Sequence, residues 1–304
     1  MIYILLFILA LVITPLIRKA ALRMNWVDKA DGDALKIHKK PVALLGGAVI
    51  VIACLLGVGL LARSPQSIAH SKMQIMGIIF GAVLVFGVGL WDDLKKISLG
   101  IRLFSQLLAG VIILLAGIRV EFIPIGWVAV LFTLFYIAGA INAFNVIDGM
   151  DGLCAGVSLV SCIGFFFLGI GSENMFLAGF SAILFMSLLG FLPYNFHQAK
   201  IFLGDAGSGL LGFLLGVMAV MATSTAYNAV NFIVPILIIS VPVFDIALAI
   251  IRRLIQRRPL FFGDRNHVYD LLLKKGWSQP RVWCIMCTIQ GIIVGIALVV
   301  ASKK

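Results

Sequence analysis

Between Asn142 and Gly156 the chain reads NAFNVIDGMDGLCAG, placing two asparagines, Asn142 and Asn145, and two aspartates, Asp148 and Asp151, in one gap between long apolar runs. Each aspartate is followed by a glycine. A single Asp-Gly pair is turn chemistry, because Gly takes up φ > 0 and Asp bonds its own backbone. Two such pairs, with two side-chain amides upstream, also offer hard oxygen ligands and donors on a backbone that a substrate can approach closely. That combination suits a metal ion or a phosphate.

Three further polar clusters punctuate the apolar chain. Trp91-Asp92-Asp93-Leu94-Lys95-Lys96 sets adjacent carboxylates beside two lysines, an arrangement that on its own reads as a solvated, balanced helix foot. Asn195-Phe196-His197 precedes Phe202-Leu203-Gly204-Asp205-Ala206-Gly207-Ser208-Gly209, which reads as a helix start with Ser208 as N-cap. Backbone N–H groups at such a start can meet phosphate, and Asp205 can face a cation. The fourth cluster, in the loop 252–281, carries Arg252, Arg253, Arg257 and Arg258 ahead of Phe261-Phe262-Gly263-Asp264-Arg265-Asn266-His267. Its basic stripe reads as an interfacial anchor. His267, beside Asp264 and Arg265, reads as a phosphate contact, and a short helical pattern from Val268 to Lys275 follows, stopped by Gly276.

The elements that must hold these clusters are membrane helices. With 62% hydrophobic and 12% charged residues and a mean hydropathy of +1.13, the chain is far more apolar than a soluble domain. Windows long enough to cross ~30 Å of hydrocarbon fall near 1–17, 42–62, 74–91, 99–117, 125–141, 153–171, 175–192, 209–223, 232–251 and 282–301. The fold expected is an all-α, polytopic membrane protein of about ten helices, one domain over residues 1–304. The first window has no basic residue ahead of it and has Arg18 and Lys19 behind it, the reverse of a cleavable signal peptide.

Basic residues then orient the helices. Eighteen of the 24 lie in alternate loops, 18–41, 92–98, 142–152, 193–208 and 252–281, which the positive-inside rule assigns to the cytoplasm. Both termini are thereby placed outside, and the four polar clusters share the cytoplasmic face. The net charge of +11 is accounted for by the anionic inner leaflet and substrate phosphates, without nucleic acid. Ten of the 13 acids sit in these same loops; Glu121 and Glu173 fall in short external turns, and Asp245 lies inside the ninth window. An acid there either pairs with Arg252 or Arg253 or shapes a site. The five cysteines all fall in apolar windows and read as packing residues, Cys284-x-x-Cys287 being a weak metal signal without a second pair.

Taken together, Asp92-Asp93, Asn142-x-x-Asn145-x-x-Asp148-Gly-x-Asp151-Gly-Leu153, Gly204-Asp-Ala-Gly-Ser208 and Asp264-Arg-x-His267 resemble the polyprenyl-phosphate N-acetylhexosamine-1-phosphate transferases, in that family's order and over nearly the whole chain. The resemblance implies transfer of a sugar 1-phosphate from a UDP-N-acetylhexosamine to polyprenyl phosphate, with release of UMP and with Mg²⁺, or Mn²⁺ in its place, as cofactor. It implies Asp205 as metal ligand, with Asp92 or Asp93 ligating or acting as base. Asn142, Asn145, Asp148, Asp151 and Asn195 would line the nucleotide-sugar side, with Asp148, Asp151 and His267 counted among the catalytic candidates. Arg265 and His267 would contact phosphate or sugar, and Lys36, His38 and Lys40 match a family segment near the site. Polyprenyl phosphate, the UDP-sugar and the lipid bilayer are the implied partners, with a homodimer as a further candidate.

The chain departs from the family pattern at two places. Val42-Ala43-Leu44 stands where relatives often carry Thr-Pro-Arg, and Val268-Tyr269-Asp270 follows His267 where many carry further histidines. The second departure argues against a muramoyl-pentapeptide substrate and leaves UDP-N-acetylglucosamine as the first candidate donor. The alternative of another class is a cation- or proton-coupled transporter, which would place its acids near the bilayer midplane on interrupted helices.

Overall fold

The computed structural model of the chain describes residues 2–29, 41–61, 72–121, 123–223, 229–259 and 265–303, and of 229–231 the backbone alone. Lys36, His38 and Lys40 lie outside the described residues, as does Asp264. The architecture is all-α. Its helices are α1 (Ile2–Arg23), α2 (Gly46–Leu61), α3 (Lys72–Lys95), α4 (Leu99–Leu115), α5 (Gly126–Ile147), α6 (Leu153–Gly171), α7 (Met175–Asn195), α8 (Gly204–Ala222), α9 (Ala229–Ile238), α10 (Ser240–Ile255), α11 (Val268–Lys274) and α12 (Gln279–Ser302). One two-residue antiparallel pair, β1 (Val27–Asp28) with β2 (Val42–Ala43), is the strand content among the described residues.

Each of the ten apolar windows contains helix, because a chain in hydrocarbon must satisfy its backbone within the segment. Seven helices are long and apolar enough to cross a membrane, and the protein is a multi-pass membrane protein. Three windows differ from expectation. Those near 42–62 and 99–117 hold α2 and α4, apolar helices of 16 and 17 residues. The ninth is not one straight helix: α9 and α10 meet at Ile239 with a bend of 91°. Pro242 explains the break, since its ring collides with the carbonyl four residues back and it has no N–H to offer there.

At the centre of the bundle stands α8, which packs against α2, α3, α5, α6 and α9. From Ala206 to Met221 every residue of it is buried. Lipid tails are as apolar as leucine, so helices in a bilayer associate by close packing rather than by water exclusion, and small residues allow the backbones to approach. A Cβ on Gly47 would sit 2.6 Å from the Cα of Gly207, and one on Gly89 would sit 2.6 Å from the Cα of Ala206. The start of α8 is thus clasped between α2 and α3. The chain around residue 43 also runs parallel to the strand entering α8: Phe202 N–H donates to Ala43 O at 2.8 Å, and Gly46 N–H donates to Phe202 O at 2.8 Å.

Helix ends depart from the sequence expectation in informative ways. Helix α8 begins at Gly204, four residues before Ser208, so Ser208 is an interior residue and not the N-cap. Asn142 and Asn145 stand on the last turns of α5, not in a loop, and Asp92 and Asp93 on the last turn of α3. Gly276, at φ +84, follows α11 as expected. Of the cysteines, Cys54, Cys154 and Cys162 are buried packing residues, Cys287 is half-buried and Cys284 is exposed.

Candidate active site

The polar clusters meet at one end of the bundle, around the first turn of α8. Asp93 reaches from α3 and accepts the backbone N–H of Asp205 at 2.8 Å on one oxygen and that of Ala206 at 3.1 Å on the other. These are orphan donors of a helix N-terminus, and an anion there also meets the positive end of the helix dipole. Gly204, at φ +71, makes the approach possible: a Cβ would lie 2.5 Å from an Asp93 oxygen.

Asp92 is turned the other way and is buried. It accepts Ile97 N–H at 2.9 Å and forms an ion pair with Arg102 of α4 at 3.0 Å. Its carboxylate also neighbours that of Asp205, as does the Asn145 amide. Arg102 is a site residue that the motif reading did not single out; a lone arginine in the first turn of an apolar helix was its one signal.

Asp148 caps the end of α5, and burial together with the carboxylates of Asp205, Asp93 and Asp151 pushes its carboxyl well above the ordinary range. The adjacent turn is braced from three sides. Asp151 accepts Ala199 N–H at 3.0 Å, Trp283 of α12 donates to Gly152 O at 2.8 Å, and Arg265 donates to Gly149 O at 3.4 Å. Gly152 takes φ +69 to start α6.

The two asparagines of α5 serve different neighbours. Asn145 Oδ1 lies 2.5 Å from the Ser208 hydroxyl, which also lies 2.9 Å from Gly204 O, tying α5 to the first turn of α8. Asn142 faces α4, where its Nδ2 donates to Gln106 Oε1 at 2.7 Å and its Oδ1 accepts from Gln106 Nε2 at 3.4 Å. Its amide is therefore engaged in clamping α4 to α5. Gln106, buried in an apolar helix, escaped the sequence reading because a neutral amide leaves no mark in a survey of charges. Asn195 is 2% exposed; it donates to Ile201 O at 3.0 Å, and its Oδ1 has no hydrogen-bond partner.

His267 and Arg265 sit on the segment that leads into α11. Asp245 of α10 accepts from His267 Nδ1 at 2.8 Å and, on its other oxygen, from Val268 N–H at 2.8 Å. A carboxylate there fixes the ring's orientation and favours the Nδ1–H form. Asp245 thus shapes the site, the second of the two roles its position allowed. The interrupted helix and intramembrane acid that a transporter would also carry are here tied to this histidine. Arg265 pairs with Asp270 at 2.9 Å, and Tyr269 stacks on His267 with rings 5.9 Å apart and nearly parallel. Val268, Tyr269 and Asp270, the three residues after His267, are thus all occupied in holding the segment.

Among the described residues, no three His, Cys, Asp or Glu side chains converge into a ready metal cage. What the site offers is a ring of carboxylates around a helix N-terminus, with Arg102, Arg265 and His267 at its edge. The region from residue 75 to 223 matches the family described as glycosyl transferase family 4. A probable undecaprenyl-phosphate N-acetylglucosaminyl 1-phosphate transferase of Bacillus subtilis is 30% identical over 302 residues, covering 96% of this chain and 82% of the relative. The chain belongs to glycosyl transferase family 4. Similar relatives include a decaprenyl-phosphate N-acetylglucosaminephosphotransferase of Mycobacterium tuberculosis, 31% identical over 84% of this chain and 72% of its own length. An undecaprenyl-phosphate alpha-N-acetylglucosaminyl 1-phosphate transferase of Yersinia pestis is 30% identical over 98% and 83%. In this family member the matched region runs from α3 to the end of α8 and so carries every acid of the ring.

Proposed function

We propose that the protein transfers N-acetylglucosamine 1-phosphate from UDP-N-acetylglucosamine to undecaprenyl phosphate or another polyprenyl phosphate, releasing UMP and forming the lipid-linked sugar that starts a cell-envelope polysaccharide. The observation that carries this reading is the meeting of Asp92, Asp93, Asp148 and Asp205 around the first turn of α8 in a chain whose relatives bear that activity in their names. The lysine and arginine distribution supports placing this end of the bundle on the cytoplasmic side of the cell membrane, with both termini outside.

In such a transfer an oxygen of the lipid phosphate bonds to the sugar-bearing phosphorus of the diphosphate, and the bond from that phosphorus to the bridging oxygen breaks. UMP leaves with the electron pair. A phosphate monoester, with a second pKa near ~6, is largely dianionic at neutral pH, so the attack needs no general base. The protein's task is to bring two anions together. Mg²⁺, or Mn²⁺ in its place, would supply the charge that holds the diphosphate and steadies the departing UMP. The residues fit that ion. Mg²⁺ is commonly held by one or two carboxylates with waters and substrate phosphates rather than by a full protein cage. Asp205, with Asp92 beside it, provides such a pair.

Asp93 fixes the backbone from which Asp205 projects, and Asn145 and Ser208 hold the same turn against α5. His267 and Arg265, with Lys36, His38 and Lys40 from the segment ahead of β2, serve as contacts for phosphate and sugar. Asn195 and the Asp148–Asp151 turn bound the nucleotide-sugar side.

The test is product identity. Purified protein with Mg²⁺, polyprenyl phosphate and UDP-N-acetylglucosamine releases UMP, and labelled UMP passes back into the UDP-sugar once lipid product is present. A chelator stops both directions. Release of UDP, or no UMP from any UDP-N-acetylhexosamine, overturns the reading.

A further inference from the structure

The break between α9 and α10 leaves main-chain groups without helical partners inside an apolar stretch. In an unbroken helix Ile238 C=O would receive the N–H of residue 242, but that residue is Pro242 and has none. Likewise Val241 N–H would reach residue 237, and the 91° turn ends that ladder. Unpaired backbone groups in hydrocarbon are costly, so something must take their place.

One side chain does so. Gln290 of α12 is fully buried; its Nε2 donates to Ile238 O at 2.5 Å, and its Oε1 accepts Val241 N–H at 2.9 Å, with the Ser240 hydroxyl 3.4 Å away. The amide spans the break as a peptide group would, giving to the last carbonyl of one helix and receiving from the first turn of the next. Gln290 stands at the middle of α12, about 17 Å from either end at ~1.5 Å per residue. A carboxamide there is costly unless both its donor and acceptor are used.

What hangs from the far side of the break is catalytic apparatus. Asp245 stands five residues into α10, and its two oxygens hold His267 and the start of α11. The same arm is fastened at its other end, where Arg252 donates to Asn266 O at 2.6 Å. The direction of α10 therefore fixes where His267 stands relative to the carboxylates around α8.

We infer that Gln290 is a positioning residue for the transfer reaction: its side-chain amide, bonded to Ile238 O and Val241 N–H, sets the angle of the broken helix and through Asp245 the place of His267. This rests on the transferase reading for His267, and the experiment separates the two. The comparison uses the full chain in detergent with polyprenyl phosphate, UDP-N-acetylglucosamine and Mg²⁺, for wild type, Gln290→Met, Asp245→Asn and the double variant. Gln290→Met keeps length and apolar fit but makes neither bond. The expected result is a kcat lowered tenfold or more with KM for polyprenyl phosphate within twofold of wild type, while the double variant is no more than twofold below Asp245→Asn. Gln290→Glu, whose protonated acid reproduces both bonds, regains most of the lost kcat. Should Gln290→Met not yield monodisperse protein, Gln290→Asn, which withdraws the amide by one methylene, is held to the same pattern.

The inference is overturned if the Gln290 variant retains kcat within twofold, or if it lowers activity by the same factor with and without Asp245, as a loss of folded protein would. Failure of the transferase reading looks different, because wild type itself then releases no UMP.

Discussion

Asp93 and Asp205 are joined through the main chain: the backbone N–H of Asp205 donates to the Asp93 carboxylate at 2.8 Å, and the next N–H, of Ala206, donates to its other oxygen. The neighbouring acid, Asp92, faces Arg102 and the Asp205 side chain. Two adjacent carboxylates therefore hold different offices, one capping a helix from outside it and one turned to Arg102 and Asp205. Asparagine at 93 keeps a single acceptor and leaves one N–H unpaired, a cost of about 1–3 kcal/mol. Asp93→Asn is expected to unfold at lower temperature in detergent and to need more Mg²⁺ for half-maximal rate, with activity down 10–100-fold, the range for supports of a metal ligand. An unchanged Mg²⁺ requirement would separate Asp93 from the metal site.

Substitution at 205 acts on the proposed metal ligand itself. Asp205→Asn preserves shape but removes the charge that attracts a hard cation. The variant is expected to purify as a folded protein and to lose more than ~100-fold in turnover, beyond the range for supports. Raising Mg²⁺ partly restores Asp93→Asn and does not restore Asp205→Asn. Near-normal turnover by Asp205→Asn, measured as UMP release, would remove it from the ligand set.

Asp148 gives a prediction in pH. Burial and three neighbouring carboxylates raise its proton affinity in the folded state. Between the unfolded value near ~3.9 and the raised folded value the native state holds the extra proton, so stability falls as pH rises through that window. Asp148→Asn cannot titrate. In metal-free detergent it is expected to melt higher than wild type at pH 8, with the gap closing as pH falls toward 4, and to transfer sugar phosphate more slowly. Thermal unfolding across pH checks it; parallel curves would refute the assignment.

Orientation is checked by reporter fusions. Fusions ending after Lys96, Gly152, Lys200 and Gly276 are expected to report cytoplasm, and those after Gly117 and Ser172 the exterior. The structure places Gly117, Arg119, Glu121 and Asn174 around one recess with Gln74 and Met221, from the start of α3 and the end of α8, opposite the carboxylates. Two of the first four fusions reporting outside would break the single-faced site.

Charge was what made the site legible in the chain. Acids and arginines are expensive near lipid, so their clustering between apolar runs marked Asp92, Asp93, Asp148, Asp151, Asp205 and His267, and the structure gathers these at one end of the bundle. Window composition marked the helices but not their shape. The break at Ile239 follows from Pro242, whose effect falls on a carbonyl four residues earlier and not where the proline stands. Helix ends were misplaced around Asn142, Asn145 and Ser208 because polar residues in the last or first turn of a helix look like loop when read by polarity. The amides of Gln106 and Gln290 stayed hidden for a related reason: each is a neutral residue in an apolar stretch, and its meaning depends on a partner 36 or more positions away.

The clasp of Gly47 on Gly207 and of Gly89 on Ala206 has a bearing on how such a protein can change over time. Where main chain rests on main chain, no side chain stands between the helices to be exchanged for a larger or smaller one, and tightly packed interiors resist added volume. The floor beneath Asp205 is thus closed to gradual revision. New sugar or lipid preferences are expected where side chains rather than main chain meet, since one of those can be exchanged without moving a helix.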